Sequence, residues 1–430
     1  MKSGRRGKPS IFFIAFFLFF GMIATNSLLP EEGGTVRTFI LDESFLSLGK
    51  KLWKAGDHDF TRNIRWLKRA ANKALKKGPY SVTFKKYPHP SGDQHDYLAY
   101  GNYCWPNPDT PNGLPWVTRD GFSNPDTTVD RDAFKSMIRE TTVLSLAYYF
   151  TGDELYAKHA AFLLRTWFID KETRMNPNCN YGKVIPGKKE GGYSVAGFGY
   201  RFRELYDSAG ILESSPSWTV KDKESFQKWT REYMNWAETT DYGKEERYSQ
   251  SNHSTFYHMI MVIQALYVGD TAKAREMLKQ YRDIQFPRQF SPDGSQPYEM
   301  IRANNYDYHI CNLEVAFDIA RLAEHLDGFD IWNHKSEKGG GLQNSMNFMI
   351  PYITGQKEWP YFKRHKFKIV PLHKYRLLRR AALGFKDDSY EEKLKNFPKD
   401  SNFYLIDICF PKAAVEKKAS SVPIDKKNKK

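Results

Sequence analysis

The sequence has few cysteines, and none of them is arranged to hold a metal. Four occur in 430 residues, namely Cys104, Cys179, Cys311 and Cys409. There is no Cys-x-x-Cys pair and no Cys/His cluster, which argues against a zinc site. Cys104 and Cys179 lie in Pro- and Asn-rich stretches typical of loops, and we predict a disulfide between them in an oxidising compartment. Cys311 lies in a helical pattern and is predicted to be a buried free thiol.

The sequence also lacks a hydrophobic run long enough for an ordinary transmembrane helix. The run "IFFIAFFLFFGMIA" has 14 residues, whereas a membrane span needs about 20. It follows the basic stretch "MKSGRRGKPS" and precedes polar residues, which is the order found in a secretory signal peptide. We expect residues 1–29 to be a signal peptide, with an uncleaved signal anchor as the alternative and a buried helix as the least favoured reading. The protein is therefore expected to be secreted, or else anchored to a membrane by this segment.

Strand-like alternation is scarce, whereas apolar residues recur at helical spacing along most of the chain. Residues 130–150 and 155–169 predict two helices joined at Gly152-Asp153, and residues 254–268 and 271–284 repeat this design around Gly269-Asp270. Recurring helical hairpins predict an all-α fold, either an open solenoid or a closed (α/α) toroid. We place this domain at residues 30–410. Residues 411–430, which are charged and poor in apolar residues, are interpreted as a basic disordered tail.

Three long segments interrupt the helical pattern, at residues 99–126, 174–200 and 286–307. Long loops in a compact domain are usually functional or disordered, and these contain too many aromatic residues to be simply disordered. Trp and Tyr often line carbohydrate clefts, although core packing uses them too. We expect these irregular loops to lie over a binding cleft.

Acidic residues are outnumbered, with 50 Asp and Glu against 65 Lys and Arg and a formal net charge of +15. A positive field of this size favours a polyanionic partner, whether nucleic acid, an anionic membrane or an acidic polysaccharide. Lys and Arg are spread along the chain without a known nucleic-acid-binding motif, and secretion disfavours nucleic acid further. The expected partner is an acidic polysaccharide, with a membrane contact only if the N-terminal segment stays as an anchor.

Two polar clusters suit the cleavage of a uronic-acid polymer by β-elimination. This reaction needs donors that neutralise the sugar carboxylate, a base for the proton at C5 and an acid for the leaving oxygen. Asn252 and His253 stand at the start of a strongly apolar helix, where free N–H groups attract anions. The later stretch "RANNYDYH" adds Arg302, a bidentate carboxylate binder, together with Tyr306 and Tyr308. Taken singly, each feature has an ordinary explanation as a helix cap, a core tyrosine or an ion pair.

Several stretches resemble those of the alginate lyase-like superfamily of polysaccharide lyases. "SNHSTFYHMIMVIQALYVGD" resembles its Asn-Asn-His-Gly-Thr-Trp/Phe-Tyr motif, and "DGSQPYEMIRANNYDYHICNLEVAF" is similar to a second motif. "CWPNPDTPNGLPWVTRDGFSNPD" and "VIPGKKEGG" are similar to two further blocks. The resemblance spans residues 95–335 and is closest to polysaccharide lyase family thirty-eight, with family five more distant. It implies an (α/α) toroid or incomplete barrel that cleaves alginate, polymannuronate or glucuronan without a metal or other cofactor.

The resemblance also implies a role for each matching position. Asn252, His253 and Arg302 would neutralise the carboxylate, and Tyr308 would take the C5 proton and return one to the leaving oxygen. His253 would act as the base on the sugar epimer whose proton points the other way. The residues expected to bind the substrate are Trp105, Trp116, Tyr181, Lys183, Tyr257, Gln296 and Tyr306.

Two other functions are compatible with the sequence. A glycoside hydrolase on a similar α/α barrel needs two carboxylates that flank the bond, and Asp293 and Glu299 are the candidates. No paired arrangement of these two stands out from the sequence. A non-catalytic protein that binds acidic glycans would use Trp105, Trp116 and the basic surface.

Overall fold

The computed structural model describes residues 36–361, 371–397 and 403–415, in addition to Met1. The chain divides into a short N-terminal unit, Met1–Gly34, and one compact unit, Thr35–Lys430. The predicted signal segment, apart from Met1, and residues 416–430 of the predicted tail lie outside the described residues. Within the described part of the chain, no helix is long and apolar enough to cross a membrane.

The compact unit is built mainly of α-helices, as the sequence predicts. In chain order they are α1 (Glu43–Lys54), α2 (His58–Ala74), α3 (Asp130–Thr151), α4 (Glu154–Phe168), α5 (Val195–Phe198), α6 (Phe202–Leu212), α7 (Val220–Thr239), α8 (Asp241–Arg247), α9 (Asn252–Val268), α10 (Thr271–Gln280), α11 (Phe286–Gln289), α12 (Pro297–Met300), α13 (Asn305–Ala323), α14 (Leu342–Ile353), α15 (Pro371–Phe385), α16 (Ser389–Glu392) and α17 (Tyr404–Cys409). The strands are β1 (Leu98–Tyr100), β2 (Cys104–Trp105), β3 (Val117–Thr118) and β4 (Tyr181–Val184).

The longer helices pack side by side in a circular order. Contacts run from α2 to α3, α6, α9, α13 and α15. Helix α4 packs beside α3, α10 beside α9, and α14 beside both α13 and α15. Helix α17 packs against α1 and α2, and Tyr375 of α15 stacks on Phe403 beside α17 at a centroid distance of 4.5 Å. The last helices therefore return to the first. This order is that of an incomplete barrel of helical hairpins, so the (α/α) toroid is confirmed.

Helix α9 lies inside this arrangement and is apolar on all sides. It contacts α6, α7, α8, α10 and α13, and every residue from Ser254 to Tyr267 is buried. A helix without a polar stripe has no side that prefers water, which explains its complete burial. Because the helix is held on all sides, the position of its first residues, Asn252 and His253, is fixed by the core.

The two hairpin turns predicted at Gly152-Asp153 and Gly269-Asp270 are present and are similar to each other. Gly152 and Gly269 end their helices in the left-handed region, with φ of 72° and 82°. Asp153 and Asp270 then cap the next helix, because their side chains accept the backbone N–H of Leu155 and of Lys273. Glycine reaches positive φ without a Cβ clash, and aspartate supplies the acceptor that a helix start needs.

The long loops contain two small sheets that the sequence did not reveal. β1 pairs in parallel with β4, which joins the first loop to the second, and β2 pairs antiparallel with β3 inside the first loop. Strands of two to four residues are too short to show an alternating pattern. The pairing gives both loops a fixed conformation beside the helices.

Two expectations about the chain are wrong. Cys104 and Cys179 are both free, so the predicted disulfide is not formed, although Cys311 is a free thiol as expected. Cys104 lies in β2, where its Sγ is 3.7 Å from Thr118 Oγ1 of the paired strand, whereas Cys179 precedes β4 of the other sheet. Cys311 is only half-buried.

The start of the disordered tail, predicted at residue 411, lies too early in the sequence. Ala414 and Val415 are buried in the core. They belong to the apolar stretch "AAV", which the average composition of residues 411–430 does not reveal because the residues around it are charged. Packed structure therefore continues to at least Val415.

Candidate active site

Two helix starts and two loops bring the predicted catalytic residues together. Helix α9 begins at Asn252 and α13 begins at Asn305, and these two helices pack against each other. The short helix α12 carries Glu299, the turn between α12 and α13 carries Arg302, and the loop between β3 and α3 carries Asp120. Side chains that are far apart in the sequence therefore meet at one place.

Asn252 is buried and held by Glu299. Its backbone N–H donates to Glu299 Oε1 over 2.7 Å, and its Nδ2 donates to Oε2 over 2.8 Å. The helix-cap explanation is wrong, because Ser251 occupies the cap position and its side chain makes no capping hydrogen bond. Asn252 is 1% exposed, and its Oδ1 has no partner among the described residues. The second hydrogen on Nδ2 is the donor that it retains for a ligand.

His253 is partly exposed and is oriented by a buried carboxylate of α8. Its Nδ1 lies 2.5 Å from Glu246 Oε2, and 24% of its side chain is exposed against 4% for Glu246. A carboxylate that accepts the Nδ1 hydrogen fixes both the ring orientation and the tautomer. Nε2 is then the nitrogen left to accept a proton, and only its protonated form can donate a hydrogen bond to an anion.

Arg302 and Tyr308 form one unit with two residues of the first long loop. Arg302 Nη2 donates to Tyr308 Oη over 2.8 Å and to Asp120 Oδ1 over 3.1 Å. The guanidinium carbon of Arg302 lies 4.0 Å from the centroid of the Tyr308 ring. The hydroxyls of Tyr308 and Tyr103 are 2.9 Å apart. The predicted base and the predicted carboxylate binder are therefore in direct contact.

The first loop approaches this unit closely because Gly121 follows Asp120. Gly121 has a φ of 85°, and a Cβ there would lie 3.2 Å from Ala303 Cβ and 3.3 Å from Asn304 Nδ2. Asp120 Oδ2 accepts the backbone N–H of Ala303 over 3.1 Å. The Asp-Gly pair thus fastens the loop to the segment that carries Arg302.

The environment of Tyr308 keeps its hydroxyl protonated. Burial raises the pKa of Tyr308 well above its ordinary value and Tyr103 raises it further, whereas Arg302 lowers it. Tyr308 is a neutral phenol at neutral pH, which is the form that can donate a proton to a leaving oxygen. Arg302 is the neighbour that stabilises the phenolate, the form that can remove a proton.

Glu299 links the two halves of the cluster. Burial raises the pKa of Glu299, while hydrogen bonds from Asn252 and the positive charges of Arg302 and His253 lower it, and burial prevails. Asn252 therefore bonds this carboxyl group, Arg302 and His253 act on it through their charge, and Tyr308 contacts Arg302. All four predicted catalytic residues lie in one cluster.

Four of the predicted substrate-binding residues lie half-exposed on or beside the small sheets: Trp105, Trp116, Tyr181 and Lys183. The ring of Trp116 lies 5.5 Å from that of Tyr100 in β1. Tyr181 and Lys183 share one face of β4, because alternate residues of a strand point the same way. These side chains form a partly exposed group on the two loops, and they remain candidates for contact with sugar rings.

The other three predicted substrate-binding residues belong to the packing of the helices. Tyr257 and Gln296 are each 1% exposed, and their polar groups form hydrogen bonds within the core. The Tyr257 hydroxyl donates to a backbone carbonyl, and the Gln296 amide bonds three groups around α13. Tyr306 is half-buried, and its hydroxyl donates to the carbonyl of Tyr352. A polar atom in a family motif does not reveal which side of its helix is buried.

Sequence reasoning missed Glu246, Tyr103 and Asp120, which contact the catalytic residues directly. Asp120 is 182 positions from Arg302 and Tyr103 is 205 positions from Tyr308. No local pattern joins residues so far apart. Glu246 is seven positions before His253, and its place just upstream of the motif was the one available signal.

The carboxylates expected of a hydrolase are not available as a pair. Glu299 accepts hydrogen bonds from Asn252 with both oxygens, and Asp293 accepts from Ser295 within its own turn. Among the described residues, no group of three or more His, Cys, Asp or Glu side chains is placed to hold a metal ion.

The chain matches a known protein family over more than half of its length. The alginate lyase family model matches residues 81–359. The structure of an alginate lyase from Bacteroides ovatus is 34% identical, with a TM-score of 0.82 over 87% of this chain and 99% of that one. Alginate lyase A1-III from Sphingomonas species A1 is 17% identical, with a TM-score of 0.52 over 82% of this chain and 90% of that one. No curated protein matches the chain.

A histidine-to-alanine variant of alginate lyase A1-III complexed with tetrasaccharide shares the fold, with 17% identity and a TM-score of 0.54 over 87% of this chain and 96% of that one. The family match covers more than half of the chain, and the Bacteroides structure covers most of it. The chain therefore belongs to the alginate lyase family of polysaccharide lyases.

Proposed function

We propose that the protein cleaves alginate, or a closely related polyuronate, by β-elimination at Asn252, His253, Arg302 and Tyr308. The observation that carries the proposal is the 2.8 Å contact between Arg302 and Tyr308. Removing the C5 proton places negative charge on the sugar acid, so the reaction needs a cation beside the base. The alginate lyase from Bacteroides ovatus supports the choice of substrate.

In the proposed reaction the C5–H bond breaks, its electron pair forms the C4=C5 double bond, and the C4–O bond to the next sugar breaks. Arg302 and His253 bind the carboxylate and stabilise the enolate-like charge. Tyr308 accepts the C5 proton as a phenolate and donates it to the leaving oxygen as a phenol. For the opposite C5 epimer, His253 Nε2 accepts the proton, since Nδ1 is held by Glu246.

The raised pKa of Tyr308 gives this mechanism a pH dependence of definite sign. The phenolate is the reactive base, and burial keeps most of the enzyme in the phenol form at neutral pH. We expect kcat/KM to rise about tenfold per pH unit while the phenol predominates. A rate that is flat between pH 6 and 8 would show that ionisation of Tyr308 does not control the reaction.

Replacing Tyr308 by Phe tests the proposal. The variant keeps the ring against Arg302 and removes the hydroxyl, so we expect kcat to fall about 10²- to 10⁴-fold. Tyr306→Phe, on the same helix, loses one hydrogen bond to a backbone carbonyl and should keep most of its activity. The assay follows the ultraviolet absorbance of the unsaturated uronate from polymannuronate, polyguluronate and polyglucuronate. New reducing ends without absorbance would show hydrolysis instead.

We further propose that no metal takes part and that the protein is exported. Arg302 supplies the positive charge that a metal ion would otherwise bring to the carboxylate. Activity should therefore be unchanged by a chelator. A loss of activity that calcium restores would contradict the proposal that no metal takes part. Export is supported by residues 1–29 of the sequence, and the N-terminus of protein recovered outside the cell would test it.

A further inference from the structure

Helix α2 carries a row of exposed basic residues and takes no part in the catalytic cluster. We propose that this face is a second binding site for the acidic polysaccharide, which holds the polymer while the catalytic cluster cuts it. The identity of the polyanion as a polyuronate rests on the proposed function. The site itself rests on the arrangement of charges and of one tryptophan on α2.

The basic residues of α2 recur every three or four positions, so they follow one side of the helix. They are Arg62, Arg65, Arg69, Lys73 and, in the turn after the helix, Lys76. All five are exposed, whereas Ile64, Leu67 and Ala71 on the other side are buried. At 1.5 Å per residue, the row is about 21 Å long. It is long enough to lie along several sugar units.

Most of these charges lack a partner within the described part of the chain. Arg62 lies 3.2 Å from Asp59, but Arg65, Lys73 and Lys76 contact no carboxylate there. Arg69 is four positions from Arg65 and from Lys73, and like charges at this spacing destabilise a helix. A bound polyanion would relieve the repulsion. The row is therefore better explained by binding than by helix stability.

An exposed tryptophan lies beside the row. Trp66 is 38% exposed, and the guanidinium carbon of Arg69 lies 5.2 Å from its ring centroid. Trp66 and Arg62 also border a groove of about 800 Å³ between α1, α2 and the C-terminal helices. Four carboxylates line this groove. Glu391 and Asp407 are paired with Arg379, Asp59 is paired with Arg62, and Asp57 accepts the backbone N–H of Phe60, which limits their repulsion of an anion.

An indole beside a guanidinium suits a sugar acid, because the ring contacts the apolar face of the sugar while the cation binds its carboxylate. A membrane surface is the other polyanion that a basic helix can meet. Helices that lie on membranes present several large apolar residues to the lipid. The exposed side of α2 has Trp66 alone, so the polysaccharide is the favoured partner.

The test uses the Tyr308→Phe background, so that the polymer is not degraded during the measurement. The row variant is Arg65→Gln/Arg69→Gln/Lys73→Gln, and glutamine keeps the helix propensity. The matched control, Lys171→Gln/Lys221→Gln/Lys279→Gln, removes three charges from separate exposed positions. Binding to polymannuronate is measured by affinity electrophoresis at low and high salt.

We expect the row variant to bind the polymer about three- to thirty-fold more weakly than its parent at low salt, and the control to bind like the parent. The difference should disappear at high salt, because exposed charges are screened. When the row variant is made in the active enzyme, which keeps Tyr308, its kcat/KM should fall on the polymer and stay unchanged on a tetrasaccharide. Equal binding by row variant and control at low salt would overturn the proposal.

Vesicles containing phosphatidylserine test the other partner. Loss of vesicle binding in the row variant, with polymer binding intact, would show that α2 meets a membrane and would reject the polysaccharide site. Failure of the wild-type protein to form unsaturated products would reject the proposed function. Weaker polymer binding by the row variant would support the α2 site even then, so the two proposals can fail separately.

Discussion

Two buried carboxylates set the geometry of the Asn252-His253 pair. Glu299 accepts from the backbone and side chain of Asn252, and Glu246 holds Nδ1 of His253. Both carboxylates are nearly inaccessible to water, where charged hydrogen bonds are strong and directional. Each member of the pair therefore has its own anchor. The positions of the two donors depend on residues that do not touch the substrate.

Replacing Glu246 by Gln should separate positioning from folding. The amide can bond either tautomer of His253, so the ring loses its fixed Nδ1–H form, and kcat/KM should fall at least about tenfold. The ¹⁵N spectrum of the imidazole should change from one tautomer to a mixture. Glu245→Gln is the matched control, because Glu245 is exposed and pairs with Lys189 at 3.2 Å. An unchanged imidazole spectrum in the Glu246 variant would contradict the positioning role.

At this scale the sequence revealed the residues with reactive groups but not the residues that hold them. Arg302 and Tyr308 belong to one short stretch, but a separation of six positions does not place two residues on one face of a helix, so the choice of Tyr308 rested on the family resemblance. Asp120 and Tyr103 reach them from another loop, and tertiary folding alone makes those contacts. Tyr257 was misassigned because α9 is buried on every side, which a motif of seven residues does not reveal.

At the scale of the element, the helical hairpin depends on one glycine in each turn. Gly152 and Gly269 have φ of 72° and 82°, and a Cβ at either position would meet nothing within 4 Å. Alanine there should therefore lower the free energy of unfolding by about 1 kcal/mol through the backbone alone. Urea denaturation of Gly152→Ala and Gly269→Ala should give similar losses. A loss near zero in either variant would mean that the turn adopts another conformation.

Helix α13 depends on an uncharged histidine. His309 Nε2 accepts the backbone N–H of Gln296 over 3.1 Å, and Nδ1 donates to the carbonyl of Asn305 over 2.9 Å. Burial lowers the pKa of His309 to about 4, although the hydrogen bond to Asn305 opposes the shift. The unfolded chain binds a proton from about pH 6.5 downward, and the folded chain does so near pH 4. His309 therefore stabilises the fold fully above pH 6.5, and this contribution is lost as the pH falls.

The variant His309→Gln can accept and donate the same two hydrogen bonds but does not titrate. The difference in unfolding free energy between wild type and variant should fall by about 1.4 kcal/mol per pH unit between pH 6.5 and 4. Urea titrations across this range measure the difference directly, and the contributions of the carboxylates cancel in it. A difference that does not change with pH would show that His309 titrates alike in both states.

The elements that were predicted correctly are those with a strong local signal. Helices α3, α9 and α10 follow from apolar spacing, and their ends follow from glycine and aspartate. The four strands were missed, because each is fixed by its partner strand and not by its own few residues. The predicted Cys104–Cys179 bridge is also absent; Cys104 lies in β2, whereas Cys179 precedes β4 of the other sheet.

At the scale of the whole molecule, buried charges join helices that are distant in the sequence. Asp318 of α13 is fully buried, and it lies 2.6 Å from Arg203 Nη1 of α6 and 2.7 Å from Arg380 Nη1 of α15. Glu314, one turn earlier, binds Arg376 of α15 over 2.7 Å. In the sequence these charges look like the exposed sides of their helices. The circular order of the helices turns them inward, so their pairing was not predictable from helical spacing.

Asp318→Asn should show how much the circular packing depends on this junction. The amide removes the negative charge and leaves two buried guanidinium groups underneutralised, which typically costs about 3–5 kcal/mol of unfolding free energy. Asp283→Asn is the control, because Asp283 pairs with Arg282 at 2.7 Å near the surface, where a lost ion pair costs about 0–1 kcal/mol. Urea denaturation at neutral pH compares the two variants. Helix α13 also carries Tyr308, so the activity of the Asp318 variant should fall only at the urea concentrations at which the variant begins to unfold. A loss of stability no larger than that of the control would mean that the apolar contacts of α6, α13 and α15 hold the ring together without the buried charges.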